Sequence, residues 1–181
     1  QQIDKKARYY IKLAITTYEV KQHSDHDRYE RLSRKMRMER DTMRYGRLQR
    51  IFDACLKRGQ ATILTVCDDA PDQDMASAIL IWDANCLYYW VCSRSIETAN
   101  PKPAIHGVNA LLIWKAYEMA MEKGLIFDMD GFIARTDGYF KGEFGFHPFQ
   151  RNYVTWGSPL WSAIFGVKSA FSRDIGFVDY R

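Results

Sequence analysis

Several features that would place a protein in a specialised class are missing from this sequence. No apolar run approaches the roughly 18 residues that span a membrane, and the first residues, QQIDKKARYY, lack the apolar segment of a signal peptide. A GxSxG nucleophile motif, internal repeats and low-complexity segments are also absent. We therefore predict a cytoplasmic globular protein with no membrane span and no nucleophilic triad. Because the chain does not begin with Met, we expect it to be part of a longer protein.

Cysteine is scarce and is not spaced for metal binding or for a disulfide framework. The four cysteines, Cys55, Cys67, Cys86 and Cys92, show no CxxC spacing, and three of them fall in strand-like runs. We interpret them as buried free thiols in a reducing compartment. Hydrophobic residues make up 47% of the chain and charged residues 27%, so we expect a packed core and exclude global disorder.

One segment, HSDHD at 23–27, has the residue types of a metal site. The start of a helix explains Ser24 and the two acids equally well, and the sequence offers no distant third ligand. We therefore predict that the protein holds no metal.

Charge is distributed unevenly along the chain. Residues 1–60 carry 16 Lys and Arg against 8 Asp and Glu, whereas residues 61–181 carry 10 against 14. The basic first third is compatible with an anionic partner such as phosphate, nucleic acid or a membrane surface. A solvated helix face rich in arginine explains the same charge, and both interpretations stay open.

The first third is predicted to contain one strand and two helices. Residues 13–20 are rich in Thr and β-branched types and predict a strand. Ser24 is predicted to begin the first helix and Gly46 to end it. Apolar residues at helical spacing over 48–56 predict the second helix, which Gly59 ends.

The rest of the chain is predicted to form a three-stranded meander, a long helix and two further strands, over 61–67, 75–82, 86–93, 105–123, 125–129 and 149–156. The three strands of the meander are predicted to be antiparallel. The helix over 105–123 is predicted to cross over to the return strand 125–129, which makes the pairing of that strand parallel. The predicted fold class is therefore α/β, a mixed and largely antiparallel sheet flanked by helices on both faces. Residues 1–157 are assigned to this domain, and the apolar tail 158–181 is expected to pack on it or on a partner.

Three motifs in the second half carry a resemblance to a known family. The run HGVNALLIW at 106–114, with AMEKG at 120–124, is similar to a family helix written LLxWxAIxxAxxxG. IFDMDG at 126–131 is similar to its fDfgG strand and turn, and YFKGEFG at 139–145, followed by Pro148, is similar to FKxxFG. In this order and spacing they resemble the GCN5-related N-acetyltransferase (GNAT) superfamily, and more closely its Fem-type aminoacyl and peptidyl transferases.

The resemblance implies a GNAT-like fold and an acyltransferase that forms an amide between an activated acyl group and a primary amine. Fem-type proteins add amino acids from aminoacyl-tRNA to peptidoglycan precursors, so the implied donor is aminoacyl-tRNA or an acyl-coenzyme A. The implied partners are a small-molecule or peptide amine, tRNA, and a second GNAT-like domain in the same protein or in a homodimer. Two alternatives stay open: an acyl-coenzyme A-dependent N-acetyltransferase, and a catalytically silent GNAT-like binding module.

Three candidate catalytic residues follow from the resemblance. In the family the Phe-Lys pair, here Phe140 and Lys141, lines the channel for the acceptor end of tRNA. Lys141 would bring positive charge to the reacting ester, and Phe140 would stack on a terminal adenine. Asp128, at the end of an apolar strand, is the candidate acceptor for the proton of the attacking ammonium group. A structural role in a turn is the competing interpretation for Asp128.

The strand 86–93 is predicted to line the acyl pocket. Its aromatic residues Tyr88, Tyr89 and Trp90, together with Cys92, are the candidate contacts, and backbone N–H groups near its end are the candidate oxyanion donors. Core packing explains the same aromatic run.

The segment before the long helix departs from the family pattern. Coenzyme A-dependent members carry an Arg/Gln-x-x-Gly-x-Gly/Ala loop there, whereas this chain reads NPKPAIHG at 100–107. Its two prolines remove N–H donors for a pyrophosphate, which favours aminoacyl-tRNA without excluding coenzyme A. The remaining candidate substrate-binding residues at this place are Arg94, Lys102, His106, Gly107 and Asn109.

Overall fold

The computed structural model describes residues 3–37, 42–68, 73–94, 107–129 and 144–146, with 35–37 and 42–44 described by their backbone alone. The chain divides into two compact units. One unit is Ile3–Asp130, and the other joins Gln1–Gln2 to Gly131–Arg181.

Within the described residues the first unit contains four helices and five strands, which are α1 (Lys5–Ile15), β1 (Glu19–His23), α2 (His26–Arg37), α3 (Thr42–Leu56), β2 (Ala61–Cys67), β3 (Asp74–Trp82), β4 (Cys86–Arg94), α4 (Val108–Glu122) and β5 (Ile126–Asp128). The strands form one sheet in the order β1-β2-β3-β4-β5. The first four strands pair antiparallel, and β5 joins β4 in parallel. The predicted meander, return strand and mixed sheet are confirmed.

The strand predicted over 13–20 is wrong for its first six residues, because α1 extends to Ile15 and a turn follows before β1 begins at Glu19. Asp4 begins the helix, because its carboxylate accepts the Lys6 N–H at 2.7 Å. The hydroxyl groups of Thr16 and Thr17 donate to the Leu13 carbonyl, at 3.0 and 2.9 Å, and the helix ends there. The β-branched residues therefore mark the end of a helix, and the strand β1 begins only at residue 19.

The helices α2 and α3 also differ in their bounds from the prediction. Asp25, rather than Ser24, caps α2, because its carboxylate accepts the Arg28 N–H at 3.0 Å. Gly46 lies inside α3 and does not end a helix. The turn after α3 matches its prediction, since Gly59 adopts a positive φ of 68° that favours glycine.

One face of the sheet packs against α2 and α3. Tyr29 of α2 and Phe52 of α3 form a buried cluster with Ile63 of β2 and Ile79 of β3. Every residue of β2 is buried, which requires cover on both faces of this strand. The helices α2 and α3 supply that cover on the side of Ile63.

The helix α4 contributes the other large apolar surface. Its buried residues include Val108, Leu111, Leu112, Ala116 and Ala120. The helix contacts the sheet and α1. Helices therefore flank the sheet on both faces, which confirms the predicted fold class.

Gly107, directly before α4, allows α1 to approach closely. A Cβ atom at this position would lie 2.3 Å from the Tyr10 carbonyl oxygen, which belongs to the backbone of α1. We expect Gly107→Ala to lower the free energy of unfolding by about 1–2 kcal/mol, because one helix must shift away from the other. Urea unfolding followed by tryptophan fluorescence measures this change.

Gly46 provides the matched control, because a Cβ there would meet nothing within 4 Å and the residue lies inside α3. Gly46→Ala should stabilise the protein by about 0.5–1 kcal/mol, the usual gain in a helix interior. Equal effects of the two substitutions would contradict the close approach of α1 to Gly107.

The return strand β5 is shorter and more exposed than predicted. It spans Ile126–Asp128, and the side chain of Ile126 is 68% exposed, whereas a buried strand was expected over 125–129. Gly124 before it adopts a positive φ of 68°, as the predicted end of the preceding helix requires.

In the second unit the structure describes residues 144–146. The rings of Phe144 and Phe146 stack with their centres 5.9 Å apart, and Phe144 is buried. The strand predicted over 149–156 and the domain boundary predicted between 157 and 158 lie outside the described residues and stay predictions.

In the part of the chain that the structure describes, every helix is too short or too polar to traverse a lipid bilayer.

Candidate active site

The two last strands of the sheet separate early. β5 pairs only with the first three residues of β4, through the partners Cys86–Ile126, Leu87–Phe127 and Tyr88–Asp128. β4 then continues for six residues, to Arg94, past the end of β5. Among the described strands none pairs with this outer part of β4 on the β5 side. Within the described residues, the outer half of β4 therefore has a neighbouring strand on its β3 side only.

A β-bulge lies where the pairing with β5 ends. Leu80 of β3 pairs with Tyr89, whereas the adjacent Ile79 pairs with Val91, so Trp90 is the extra residue of β4. Such a bulge bends its strand and changes the direction of the groups that follow it. Backbone N–H groups on an outer strand alternate between its partner and the open side. The bulge thus sets which amides of β4 point away from β3, toward the side on which β5 pairs with the start of this strand.

Aromatic packing supports the base of this edge. Tyr89 is buried and meets the ring of Phe127 edge-on, with the ring centres 6.4 Å apart. Phe127 in turn meets Tyr117 of α4 edge-on at 6.1 Å. Burial raises the pKa of Tyr89 well above its ordinary value, and the neighbouring Cys92 adds to the shift. Tyr89 is therefore a neutral, buried side chain that packs beside this edge and brings no charge to it.

The other predicted contacts on β4 lie on either side of the bulge. Cys92 is exposed, Arg94 and Trp90 are half-buried, and Trp90 packs against the α2–α3 cluster. Tyr88 is directed to the opposite end of the strand, because its hydroxyl donates to Asp83 at 2.8 Å. That hydrogen bond raises the pKa of Tyr88 to about 12, so this phenol stays protonated at neutral pH.

Asp128 and the start of α4 complete the described candidate residues. Asp128 is the last residue of β5 and is half-buried, next to the point at which β4 and β5 separate. Asn109 is half-buried in the first turn of α4. Gly107 is buried against α1, so the structure gives it a packing role, and its contact with substrate stays a prediction.

Four of the predicted site residues, Phe140, Lys141, Lys102 and His106, lie outside the described residues, and their roles remain predictions. The described candidates Tyr89, Cys92 and Arg94 share β4, and Asp128 pairs with the residue beside them. The structure therefore brings together the β4 and β5 part of the predicted site.

A polar cluster that was not predicted from the sequence joins α2 to the sheet. Arg28 donates from Nε to the Oδ2 atom of Asp74 at 2.8 Å, and from Nη2 to the other carboxylate oxygen. The same Nη2 atom lies 3.2 Å from the sulfur of Cys67. Arg28 and Asp74 are 46 residues apart, so their pairing leaves no periodic pattern in the sequence. The one sequence signal is Asp74 itself, a charged residue at the start of an apolar strand.

The charges in this cluster shift the pKa values of its members. Burial opposes ionisation of Asp74, but the hydrogen bond and charge of Arg28 hold the pKa of this carboxyl below its ordinary value. The hydrogen bond to Asp74 raises the pKa of Arg28. Burial raises the pKa of the Cys67 thiol, so the cluster is an ion pair beside a neutral thiol.

A second polar row crosses β1, β2 and β3 and begins at a histidine. The Nδ1 atom of His23 accepts the Asp25 N–H at 3.1 Å, so the neutral ring carries its hydrogen on Nε2. That nitrogen lies 2.8 Å from the Thr65 hydroxyl, which lies 2.9 Å from the Ser77 hydroxyl. Protonation of Nδ1 would leave the backbone N–H of Asp25, the residue that caps α2, without its acceptor.

Stability should therefore fall as the pH drops through the range in which histidine titrates. Burial, followed by the charge of Arg28, lowers the pKa of His23 from its ordinary 6.5. The unfolded chain then binds its proton first, so stability is lost progressively below pH 6.5 down to the folded-state pKa. Urea midpoints measured between pH 5 and 8 should fall more steeply for the wild type than for His23→Gln. Parallel pH profiles for the two proteins would contradict this account.

A sequence profile described as an acetyltransferase (GNAT) domain matches residues 1–141. No protein among those with curated functions matches the sequence.

Two solved structures are similar to the chain in fold. The crystal structure of FemX superposes with a TM-score of 0.61 at 14% identity, over 78% of this chain and 53% of the FemX chain. An acetyltransferase of Trypanosoma brucei superposes with a TM-score of 0.54 at 16% identity, over 77% of this chain and 99% of that chain. The chain thus spans about half the length of FemX.

Proposed function

The chain belongs to the acetyltransferase (GNAT) domain family, and from that membership we propose that it transfers an activated acyl group to a primary amine. One observation carries the proposal: β4 extends six residues past the end of β5, and this extension contains the bulge at Trp90. The space at this edge is where a carbonyl group can approach backbone N–H groups without disturbing a pairing between described strands.

The proposed reaction needs a donor for hydrogen bonds to the carbonyl oxygen. As the amine attacks, this oxygen gains negative charge, and fixed N–H groups stabilise it better than mobile water does. Amides in the outer half of β4, held by the bulge at Trp90, are proposed to supply those donors. Tyr89 and Phe127 form an apolar wall beside them, which strengthens the electrostatic interaction.

The bonds in this step balance without an enzyme nucleophile. The amine nitrogen forms a C–N bond to the carbonyl carbon, and the bond from that carbon to the oxygen or sulfur of the donor breaks. The ammonium group must first lose a proton, for which the half-buried Asp128 is the proposed acceptor. After the attack the nitrogen loses a second proton, and the leaving oxygen or sulfur takes up one proton as its bond to carbon breaks. Lys141 and Phe140 are proposed to bind the donor near the reacting ester.

For the donor we propose aminoacyl-tRNA, as in the Fem-type transferases. Two features support this choice. The prolines at 101 and 103 remove donors from the place of the pyrophosphate loop, and residues 1–60 carry an excess of positive charge suited to a nucleic acid. A primary amine on a small molecule or peptide is the proposed acceptor. Because the chain spans about half of FemX, we also propose a second GNAT-like domain, in the same protein or in a homodimer.

Acyl-coenzyme A is the second candidate donor. Gly107 has no side chain that could cap α4, and the N–H groups of the first turn of this helix are the proposed contacts to a phosphate of the cofactor. Asn109 in the same turn would be a polar contact to it.

A binding experiment separates the candidate functions. Thermal unfolding of the protein is measured with acetyl-coenzyme A, with an aminoacyl-tRNA, and with the same tRNA deacylated. We expect stabilisation by aminoacyl-tRNA that exceeds the effect of deacylated tRNA and is lost in Lys141→Ala. Stabilisation by acetyl-coenzyme A alone would show that the donor is an acyl-coenzyme A and not aminoacyl-tRNA. No effect of any of the three would overturn the transferase proposal in favour of a binding module.

A further inference from the structure

His26, the first residue of α2, is buried in an unusual way. Its side chain is 5% exposed, and neither ring nitrogen has a hydrogen-bond partner among the residues that the structure describes. The ring lies against Phe52 at 5.8 Å and Tyr29 at 6.0 Å between ring centres. A buried polar group without a partner costs about 1–3 kcal/mol, and folded proteins rarely tolerate one. A partner other than the described residues is therefore expected for this imidazole.

Two carboxylates lie within reach of the same imidazole. One ligand atom each from His26, Asp27 and Glu30 lies within 4.8 Å of the others. Donor atoms around a single ion with bonds of roughly 2.1 Å are at most about 4.2 Å apart, so only a small side-chain adjustment is required. Asp27 is exposed and free to make it, whereas His26 is fixed by the aromatic rings.

The charge at Glu30 is only partly neutralised by its neighbour. Arg34 contacts Glu30 through the single oxygen Oε1, from Nε at 2.7 Å and also from Nη2. The second oxygen, Oε2, is not used by this ion pair. With the carboxylate of Asp27, the cluster presents more negative than positive charge to a cation placed between the three side chains.

We propose that His26, Asp27 and Glu30 bind one divalent transition-metal ion. One nitrogen and two carboxylate oxygens, with no sulfur, suit Zn²⁺, Co²⁺ or Mn²⁺ and not a thiolate-preferring ion. From the sequence HSDHD was rejected as a metal site, because a helix start explains Ser24 and the two acids and no distant third ligand was evident. Glu30, one helical turn after His26, is the ligand that segment lacked.

The proposed ion would stabilise the fold. It would fix the first turn of α2, which is followed by Tyr29, whose hydroxyl lies 3.4 Å from the Ser93 hydroxyl of β4. It would also supply the missing partner of His26. The site does not depend on the transferase proposal, because none of the three ligands belongs to the β4–β5 edge.

Co²⁺ is the probe, because its visible absorption reports both binding and ligand type. The protein is dialysed against a chelator and titrated with Co²⁺, and the cobalt content and thermal stability are measured. We expect one Co²⁺ per chain, a raised melting temperature and no sulfur-to-cobalt charge-transfer band. Glu30→Gln and Asp27→Asn should each weaken binding by about tenfold or more, whereas Glu19→Gln on β1 should leave it unchanged.

His26→Leu supplies an independent readout. It removes the unpartnered nitrogens, so the metal-free variant should be at least as stable as the metal-free wild type, and it should gain no stability from Co²⁺. Absence of Co²⁺ binding, or equal binding in Glu30→Gln, Asp27→Asn and the wild type, would overturn the proposal. A charge-transfer band would overturn it as well, by assigning the ion to cysteine.

Discussion

Arg28→Ala is expected to lower the free energy of unfolding by about 3 kcal/mol, the low end for breaking a buried ion pair. Arg28 fastens α2 to the sheet through two hydrogen bonds to Asp74, and the side chains of the two residues are 27% and 16% exposed. Removing the guanidinium leaves the Asp74 carboxylate half-buried without its cation. The partial exposure of both groups keeps the effect below that of a fully enclosed pair. Urea unfolding at pH 7 measures it.

Two further variants separate the ion pair from general damage to α2. Arg31 pairs with Asp25 at 3.8 Å on the surface of the same helix and is 67% exposed, so Arg31→Ala should change stability by less than about 0.5 kcal/mol. The double variant Arg28→Met with Asp74→Leu should recover much of the loss, since no unpaired charge remains. If Arg28→Ala is as mild as Arg31→Ala, the ion pair does not hold α2.

Cys92→Trp is expected to weaken binding of the acyl donor by about 30-fold, which corresponds to ~2 kcal/mol of steric conflict. Cys92 is exposed on the outer half of β4, past the end of β5, where the acyl group is proposed to lie. An indole there would occupy the donor's place. Because the thiol is exposed, the folded state has room for the larger side chain. The donor is whichever of acetyl-coenzyme A and aminoacyl-tRNA stabilises the wild type.

Ile126→Trp is the matched control, because Ile126 is 68% exposed and lies where β5 is still paired with β4. It should leave donor binding within about twofold, since it places an equally large ring at the closed end of the two strands. Equal losses of binding in both variants, or unchanged binding in Cys92→Trp, would argue that the donor binds elsewhere.

The central strands were predictable because their sequences are apolar and end at clear turns. The run over 61–67 matches β2 residue for residue, since both faces of that strand are covered. The helix α1 was missed because its buried face consists of Ala7, Ile11 and Ala14, a weak apolar signal among lysines. The β-branched residues at its end then resembled a strand.

The candidate site was predictable only in part. The sequence assigned Tyr89 and Cys92 to the strand beside β5, and the structure places them there. The bulge at Trp90 was not predictable, because it is a difference in register between two strands and leaves no mark in either one alone. The proposed metal site was also predictable only in part. The spacing of His26 and Glu30 is visible in the sequence, but the burial of the imidazole is not.

Gly107 shows that one glycine can have two explanations. It is the single glycine left in the segment where coenzyme A-dependent relatives hold a pyrophosphate, so the sequence favoured a role in substrate binding. In the structure the absence of a side chain also permits the contact with Tyr10 of α1. A glycine required by helix packing and one required by a ligand look the same in a single sequence.

Hydrogen–deuterium exchange of β4 in the presence of the acyl donor tests most directly whether the reacting carbonyl lies beside that strand. We predict slower exchange over residues 89–94 when the donor is bound, because backbone N–H groups there donate to it, and unchanged exchange over β1 (Glu19–His23). Donor binding that leaves residues 89–94 unchanged while protecting another segment would contradict the account.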